Sequence, residues 1–194
     1  MKYLEDYIRS VSGGLYEINA ADIEQTAKII SEACLNGGKV IIFGNGGSAA
    51  TASHFACDLS KGPDGNHVRL PVISLTDNIP LLTAVANDID YAMVFKEQLA
   101  CLLRENDVVI GISASGNSPN VLNALSFAVD KGAYTLGIGG FGGGKMAGIV
   151  DKAIVISLCD YRQVEDVHMA ITHIISMRAH EIIADQTTGD KTRL

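Results

Sequence analysis

Short apolar runs recur along this chain, and each one opens into a turn of glycine, serine or aspartate. Such runs are typical of strands that are buried on both faces of a parallel sheet. Between them lie segments with apolar residues at helical spacing. The alternation predicts an α/β fold, a doubly wound and mostly parallel five-stranded sheet. The predicted strands are residues 39–43, 71–75, 107–112, 134–138 and 153–157, and the clearest helices are residues 22–35, 94–103 and 120–129.

The two ends of the chain add a helix each to this pattern. Residues 4–18 place apolar side chains on one helical face, although Ser-Gly-Gly at 12–14 is expected to weaken or bend that helix. A long C-terminal helix is predicted to begin near Asp160, the N-cap, with Gln163 as its capping-box partner. Residues 186–194 are expected to fray. Because no linker interrupts the pattern, we expect a single domain over residues 1–194.

Charge and apolar content narrow the classes of partner. With 194 residues and 47% hydrophobic content, the chain is long enough to bury one core. The formal net charge is −7 and the basic residues are scattered, which argues against nucleic-acid binding. No apolar run reaches the roughly 18 residues of a membrane span, and the N-terminus lacks the apolar core of a signal peptide. We expect a soluble cytoplasmic protein whose cysteines are reduced core thiols: Cys34, Cys57, Cys101 and Cys159.

Glycine-rich turns follow three of the predicted strands. The first, FGNGGS at 43–48, has the form of a phosphate site, since glycines let an anion approach the N–H groups at the start of a helix. The same stretch fits the dinucleotide pattern at Gly44, Gly46 and Ala49, but the acidic residue of that pattern would be Asp64, which follows no strand. The third turn, in GIGGFGGGK at 137–145, repeats the form.

The second turn, SASGNS at 113–118, favours phosphate over a dinucleotide. Ser113, Ser115 and Ser118 offer three hydroxyls within six residues, ahead of a helix that starts at Pro119. Hydroxyl donors suit a terminal phosphate monoester. One such loop would be explained by turn formation alone. Two loops in matching positions favour phosphate binding at the carboxyl ends of the strands.

Three longer motifs carry a resemblance to a known family. GNGGSAATASHFACDL, ISASGNSPNV and GGKMAGIVD, in this order and spacing, resemble the sugar isomerase (SIS) domain family, and most closely its phosphoheptose isomerases. The resemblance covers nearly the whole chain. It implies a flavodoxin-like five-stranded sheet, a homotetramer, and the interconversion of sedoheptulose 7-phosphate with a D-glycero-D-manno-heptose 7-phosphate.

The resemblance also implies a substrate site. The phosphate ligands that it implies are Ser48, Ser113, Ser115 and Ser118. We expect the rest of the substrate site to include Asn45, Gly46, Gly47 and Ala114, with Asp88 lining the sugar.

A zinc site is implied by the same resemblance. Its four positions are His54, Asp58, Glu165 and His173, where the family has Glu in place of Asp58 and Gln in place of Glu165. An aldose–ketose isomerase needs a base for the C–H proton and an acid near the carbonyl oxygen, so we expect Asp58, Glu165 and His173 to be catalytic. From the residues alone, an exposed polar stripe and a core histidine are the commoner explanations.

Two classes of function stay open. The first is an isomerase, for sedoheptulose 7-phosphate or for another sugar phosphate. The second is a non-catalytic phosphosugar-binding or regulatory protein, such as a relative of the SIS protein that binds the replication initiator. Two histidines and two carboxylates at the four positions favour the enzyme.

The spacing of Glu165 and His173 constrains how one ion could bind both. They are eight residues apart, about 12 Å along a continuous helix at ~1.5 Å per residue. Either the helix begins after Glu165 or the two residues come from different subunits, and the capping signal at Asp160 favours the second. We therefore expect a homotetramer with sites shared between subunits, in which His54 and Asp58 face the partner's His173.

Overall fold

The computed structural model of the protein describes residues 2–62 and 69–190, so Asp64 and His67 lie outside the described residues. Its sheet has five strands, all parallel, in the order β2-β1-β3-β4-β5. This is the flavodoxin-like order. The strands are β1 (Val40–Gly44), β2 (Val72–Ser74), β3 (Val108–Ser113), β4 (Tyr134–Gly139) and β5 (Lys152–Val155). The fold class and all five predicted strands are confirmed.

Helices connect the strands and extend the chain at both ends. The three interior helices predicted from the sequence are confirmed to within about two residues, and α4, which was not predicted, begins after an Asn78 N-cap. The helices are α1 (Lys2–Tyr16), α2 (Ala20–Leu35), α3 (Gly47–Lys61), α4 (Ile79–Asp88), α5 (Val94–Leu102), α6 (Pro119–Asp130) and α7 (Tyr161–Asp190).

The terminal helices depart from the sequence prediction in two details. Helix α1 runs unbroken through Ser-Gly-Gly, and Gly14 lies at its contact with the rest of the fold: a Cβ there would lie 2.8 Å from a methyl carbon of Leu158. Helix α7 begins where predicted, with the Asp160 carboxylate accepting from the N–H groups of Arg162 and Gln163. It continues to Asp190 without a proline to stop it, so the expected frayed tail is wrong for residues 186–190.

The two faces of the sheet carry separate cores. Successive strand residues point to opposite faces. Ile42 and Ile110 therefore pack toward α2, α3 and α7, and Ile41 and Val109 pack toward α4, α5 and α6. Helix α1 packs on α7, outside the first layer. Among the described residues, no helix is both long and apolar enough to cross a membrane.

The cysteines do not follow the expected pattern of burial. All four are free. Only Cys34 is partly buried, and this burial raises the pKa of its thiol to about 11. Cys57, Cys101 and Cys159 are exposed, because they lie on the outer faces of α3 and α5 and in the turn before α7. The prediction of core thiols is wrong for these three.

Candidate functional site

A small cavity lies where the carboxyl ends of β1 and β3 meet. The chain leaves these neighbouring strands toward opposite faces of the sheet, which is the position where open α/β sheets bind ligands. The cavity, here called the serine cavity, has a volume of about 130 Å³. Its lining residues are Asn45, Ser48, Ile112, Ser113, Ala114, Ser115, Ser118, Tyr161 and Glu165. All four predicted phosphate serines are therefore brought together.

The first wall of the serine cavity is the start of α3. Gly46 has a positive φ of 55°, and the helix begins at the next residue. Ser48 is buried in the first turn. The N–H groups of a first helical turn have no partner within the helix, and the helix dipole makes this end positive. This wall can therefore stabilise an anion without a basic side chain.

The second wall is the segment from Ser113 to Ser118, here called the serine loop. Ser113 Oγ and Ser118 Oγ lie 3.3 Å apart, and the N–H of Asn117 donates to Ser115 Oγ at 3.2 Å. Helix α6 then begins at Pro119, as the sequence predicts. Ser113 is buried, whereas Ser115 and Ser118 are half-buried. The loop thus presents hydroxyls to the cavity from a fixed turn.

An amide pair that the sequence did not reveal holds Asn45 at the cavity. The carboxamides of Asn45 and Asn120 donate to each other, at 2.8 and 2.9 Å. The Tyr91 hydroxyl donates to the same Asn45 oxygen at 2.9 Å. Asn120 is buried, and a buried amide needs a partner. Its position at the start of α6, directly after the predicted phosphate loop, indicated that Asn120 lies near the site. The sequence alone could not show that it pairs with Asn45.

Glu165 lies in the serine cavity, against the first residue of α3. A Cβ placed on Gly47 would overlap the Glu165 carboxyl group, so the two lie in direct contact and a side chain at position 47 would displace the carboxylate. Among the described residues that line the cavity, Glu165 is the only charged one. The positive end of α3 favours a carboxylate at this point. The same carboxylate would repel a bound phosphate.

A second constellation, here called the His–Asp cluster, lies further along the same two helices. His54 and Asp58 project from α3, and His173 projects from α7. The two histidine Nε2 atoms are 3.0 Å apart, and Asp58 Oδ2 lies 3.5 Å from His54 Nε2 and 3.6 Å from His173 Nε2. The three side chains keep 49%, 28% and 46% of their surface exposed, in the order His54, Asp58, His173. They form an open group at the surface of one chain.

The His–Asp cluster has the donor set and size of a metal site. Its three ligand atoms lie within 4.8 Å of one another. Zn²⁺ binds imidazole nitrogen and carboxylate oxygen at about 2.0–2.2 Å, so a single ion can contact three atoms spaced in this way. Three protein ligands would leave a fourth coordination position open.

The structure corrects the predicted arrangement of the four metal positions. Helix α7 is continuous from Glu165 to His173, which excludes a helix that begins after Glu165. Helices α3 and α7 run parallel, so successive residues of one contact successive residues of the other: Gly47 lies beside Glu165, and His54 lies beside His173. His173 therefore meets His54 of its own chain, and the expected pairing with the partner's His173 is wrong. Glu165 lies two turns away and does not join the cluster within one chain.

The sequence of the chain matches the SIS domain family model over residues 2–140. The chain belongs to the SIS domain family. Helix α7, which supplies Glu165 and His173, lies beyond the matched segment. Glu165 and His173 nevertheless contact α3, at Gly47 and His54, and α3 lies inside the matched segment.

Named relatives extend the match toward the C-terminus. The chain is 39% identical to a probable phosphoheptose isomerase of Thermoplasma volcanium, over 89% of this chain and 88% of the relative. It is 42% identical to a phosphoheptose isomerase of Aliarcobacter butzleri, over 79% of this chain and 81% of the relative. The solved structure of a phosphoheptose isomerase from Francisella tularensis superposes with a TM-score of 0.87 at 28% identity, over 93% of this chain and 95% of that one.

Two further histidines of this SIS domain, His168 and His180, are core residues. His180 is buried, and its Nε2 lies 3.3 Å from the Asp58 carbonyl oxygen, so it ties α7 to α3 beneath the cluster. Burial lowers the pKa of His168 to about 4, although the nearby Gly139 backbone opposes part of this shift. Neither ring nitrogen of His168 has a hydrogen-bond partner among the described residues.

Asp88, the residue predicted to line the sugar, belongs to neither the serine cavity nor the His–Asp cluster. It is the last residue of α4, is exposed, and accepts from the Asn87 side chain at 2.7 Å. It does not line the serine cavity. Its predicted contact with the sugar stays a prediction, although Tyr91, three residues later, reaches Asn45.

Proposed function

We propose that this protein is a phosphoheptose isomerase, which interconverts sedoheptulose 7-phosphate and D-glycero-D-manno-heptose 7-phosphate. The observation that carries the proposal is that one fold contains both a serine-lined cavity and an acid–base cluster, with residues of α3 and α7 contributing to each. The identity to named phosphoheptose isomerases supports it. The cavity suits the phosphate, and the cluster suits a proton transfer between adjacent carbons.

The phosphate is bound by hydroxyls and backbone N–H groups. Ser48, Ser113, Ser115 and Ser118 are the proposed ligands, with the backbone of Gly46, Gly47 and Ala114 and the side chain of Asn45 completing the site. No lysine or arginine is among the described residues lining the cavity. Helix dipoles and oriented N–H groups provide the positive potential instead.

The proton transfer is assigned to Asp58 and His173. The Asp58 carboxylate takes the proton from the carbon beside the carbonyl, the C=C bond of an enediol forms, and the proton is returned to the neighbouring carbon. His173 moves the proton between the two oxygens, which balances the exchange. The hydrogen bond between His173 and His54 orients the imidazole.

A divalent ion, zinc by its donor preference, is proposed at His54, Asp58 and His173. Imidazole with carboxylate suits Zn²⁺. With such an ion bound, His173 would be a ligand instead of the proton carrier, and the ion would polarise the sugar oxygens in its place. Asp58 would keep its second carboxylate oxygen for the C–H proton. Metal analysis of protein purified without added zinc tests this directly, and an absence of zinc there and after soaking would reject it.

We also propose a homotetramer in which the cluster of one chain meets the serine cavity of another. An apolar groove between α1, α2 and α7 supports this, because Ile174 and Met177 at its edge keep 49% and 60% of their surface exposed. His173 lines the same groove. A subunit on this groove would border the His–Asp cluster, and Glu165 of the partner subunit could then complete it.

Mixing of inactive variants tests the shared site. Asp58→Asn protein is unfolded and refolded with Ser115→Ala/Ser118→Ala protein, and activity is measured well below the wild-type KM. If sites are shared, partial activity returns in mixed tetramers. There the intact cluster of a Ser115→Ala/Ser118→Ala chain lies against the intact cavity of an Asp58→Asn chain. Refolding Asp58→Asn with His173→Asn is the control without recovery, since every cluster lacks one residue. If both mixtures stay inactive while refolded wild-type protein recovers, the shared site is wrong.

The remaining assignments concern the whole chain. We propose one domain over residues 1–194, because α7 packs on α1, α2 and α3, which lie inside the family match. We propose the cytoplasm as its location, because four free thiols suit a reducing compartment.

The isomerase activity itself is tested by incubating the protein with sedoheptulose 7-phosphate and following the products by NMR. Signals of a heptose 7-phosphate are expected for wild-type protein and not for Asp58→Asn. Binding without conversion, in metal-supplemented protein, would instead support the non-catalytic phosphosugar-binding alternative. Conversion of a different sugar phosphate alone would retain the chemistry and change the substrate.

A further inference from the structure

The third glycine-rich turn of the sequence has no role in the proposed catalysis, yet it packs directly on the serine loop. This segment, residues 140–145, follows β4 and is here called the glycine-rich loop. Three N–H groups at or beside it donate into the serine loop. Gly140 donates to the Ala114 carbonyl at 2.9 Å, Lys145 to Asn117 Oδ1 at 3.1 Å, and Met146 to the Gly116 carbonyl at 3.0 Å.

These bonds occupy acceptor groups of the serine loop. A carbonyl oxygen that is free to face the serine cavity would repel a phosphate. A carbonyl oxygen that accepts a hydrogen bond from the glycine-rich loop is held toward that loop, and its negative charge is partly neutralised there. The loop thereby fixes which groups of residues 113–118 remain available to an anion.

Asn117 connects the two loops through both ends of its carboxamide. Its Nδ2 donates to the Ser115 carbonyl at 2.9 Å, while its Oδ1 accepts from the Lys145 N–H. Its own N–H donates to Ser115 Oγ. The Asn117 carboxamide therefore holds the backbone of Ser115, a proposed phosphate ligand, against the glycine-rich loop, while the Asn117 N–H donates to the Ser115 hydroxyl.

The backbones of the two loops also lie too close for a side chain between them. A Cβ on Gly116 would overlap the Gly143 carbonyl, and a Cβ on Gly144 would overlap the Ser115 carbonyl. Both glycines have positive φ, 62° and 53°. Gly142 has a φ of 77° in the same loop, but nothing lies within 4 Å of a Cβ built there.

We propose that Asn117 and Gly144 are positioning residues of the phosphate site: they hold the serine loop in the shape that binds the anion. The inference rests on the proposed function, because it needs the serine cavity to be the phosphate site. Neither residue is among the described residues that line the cavity. Their loss is expected to weaken substrate and phosphate binding and to leave turnover at saturation unchanged.

The test compares Asn117→Ala, Gly144→Ala and Gly142→Ala with wild-type protein. Titration with inorganic phosphate, and KM with kcat for the sugar phosphate, are measured on protein that shows a cooperative thermal transition. We expect the first two variants to weaken phosphate binding at least about tenfold, the effect of one lost hydrogen bond to an anion, with kcat within about twofold of wild type. Gly142→Ala keeps the wild-type affinity.

Two results would overturn the inference. One is wild-type phosphate affinity in folded Asn117→Ala, which has no added backbone strain and is informative even if Gly144→Ala fails to fold. The other is an equal loss in Gly142→Ala, which would make the effect one of general loop strain. The Ser115→Ala/Ser118→Ala variant distinguishes a failure of the proposed phosphate site from a failure of this inference. Wild-type phosphate affinity in that variant would place the phosphate elsewhere and reject both.

Discussion

The serine cavity and the His–Asp cluster both use residues of α3 and α7, about two turns apart, and are built in different ways. Backbone turns form the cavity, with Asn45 paired to the buried Asn120 amide and the glycine-rich loop packed behind the serine loop. The cluster consists of three side chains on α3 and α7 that stay half-exposed. The cavity is thus shaped before a ligand arrives, whereas the cluster is open to a metal or a second subunit.

This difference separates two tasks. A preformed pocket of N–H and hydroxyl groups binds a phosphate at little cost in ordering. An open group of imidazoles and a carboxylate can exchange protons with a substrate. We therefore expect changes in the cavity to alter affinity and changes in the cluster to alter turnover.

The largest expected effect is that of Asp58→Asn on turnover. An amide cannot take the C–H proton, so kcat should fall by up to about 10⁴-fold. Steady-state kinetics with sedoheptulose 7-phosphate measures this. Asp130→Asn, an exposed carboxylate at the end of α6, is the matched control and should retain activity. Near wild-type kcat in Asp58→Asn would remove the cluster from the chemistry.

The next effect is that of Ser115→Ala/Ser118→Ala on phosphate affinity. Two hydrogen bonds to an anion are lost, so the Kd for inorganic phosphate should rise on the order of 10³-fold. Calorimetric titration gives the value, and metal content is measured on the same samples. Metal content should not change, since the cluster is two turns away. Loss of the metal together with the phosphate would show that the two regions are not separate.

His168 is expected to make the stability of the fold fall at acid pH. It is buried on α7 between Glu165 and His173, so this loss of stability affects both the cavity and the cluster. Its pKa is about 4 in the folded protein, against about 6.5 when unfolded. Above pH 6.5 both states are neutral. As the pH falls from 6.5 to 4 only the unfolded state gains the proton, so about 3 kcal/mol of stability is lost.

Denaturant unfolding across this pH range measures the effect. His168→Leu should lose that part of the pH dependence, because the titrating group is gone. His67→Asn, which removes a different histidine of the chain, is the control. An unchanged slope in His168→Leu would assign the acid sensitivity to other groups.

The smallest expected effect is that of Glu165→Gln on phosphate binding. Removal of one negative charge from the cavity relieves a repulsion of roughly 1 kcal/mol, so phosphate should bind about fivefold more tightly. Glu181→Gln removes a charge from the same helix outside the cavity and is the control. Weaker phosphate binding in Glu165→Gln would mean that this side chain assists the phosphate instead of opposing it.

The sequence predicted the cavity better than the cluster, for a physical reason. Strand ends in a parallel sheet converge at one edge, so FGNGGS and SASGNS could be placed together from their positions alone. The hydrogen bonds of Asn120 and Asn117 could not be predicted, because their partners, Asn45 and Lys145, are distant in sequence. Side-chain pairing of this kind is fixed only by the packed fold.

The arrangement of the metal positions depended on the relative direction of two helices. Spacing showed correctly that Glu165 and His173 cannot touch one ion from a continuous helix. It could not show that α3 runs parallel to α7, which brings His173 to His54 of the same chain. Helix packing across the sheet, and not the pattern within either helix, determines that pairing.

The most direct test of the division between cavity and cluster is a titration of Asp58→Asn protein with inorganic phosphate. The account predicts the wild-type Kd to within about twofold, because phosphate occupies the serine cavity and Asp58 acts elsewhere. A loss of affinity comparable to that of Ser115→Ala/Ser118→Ala would contradict the account, since binding and chemistry would then depend on the same residue.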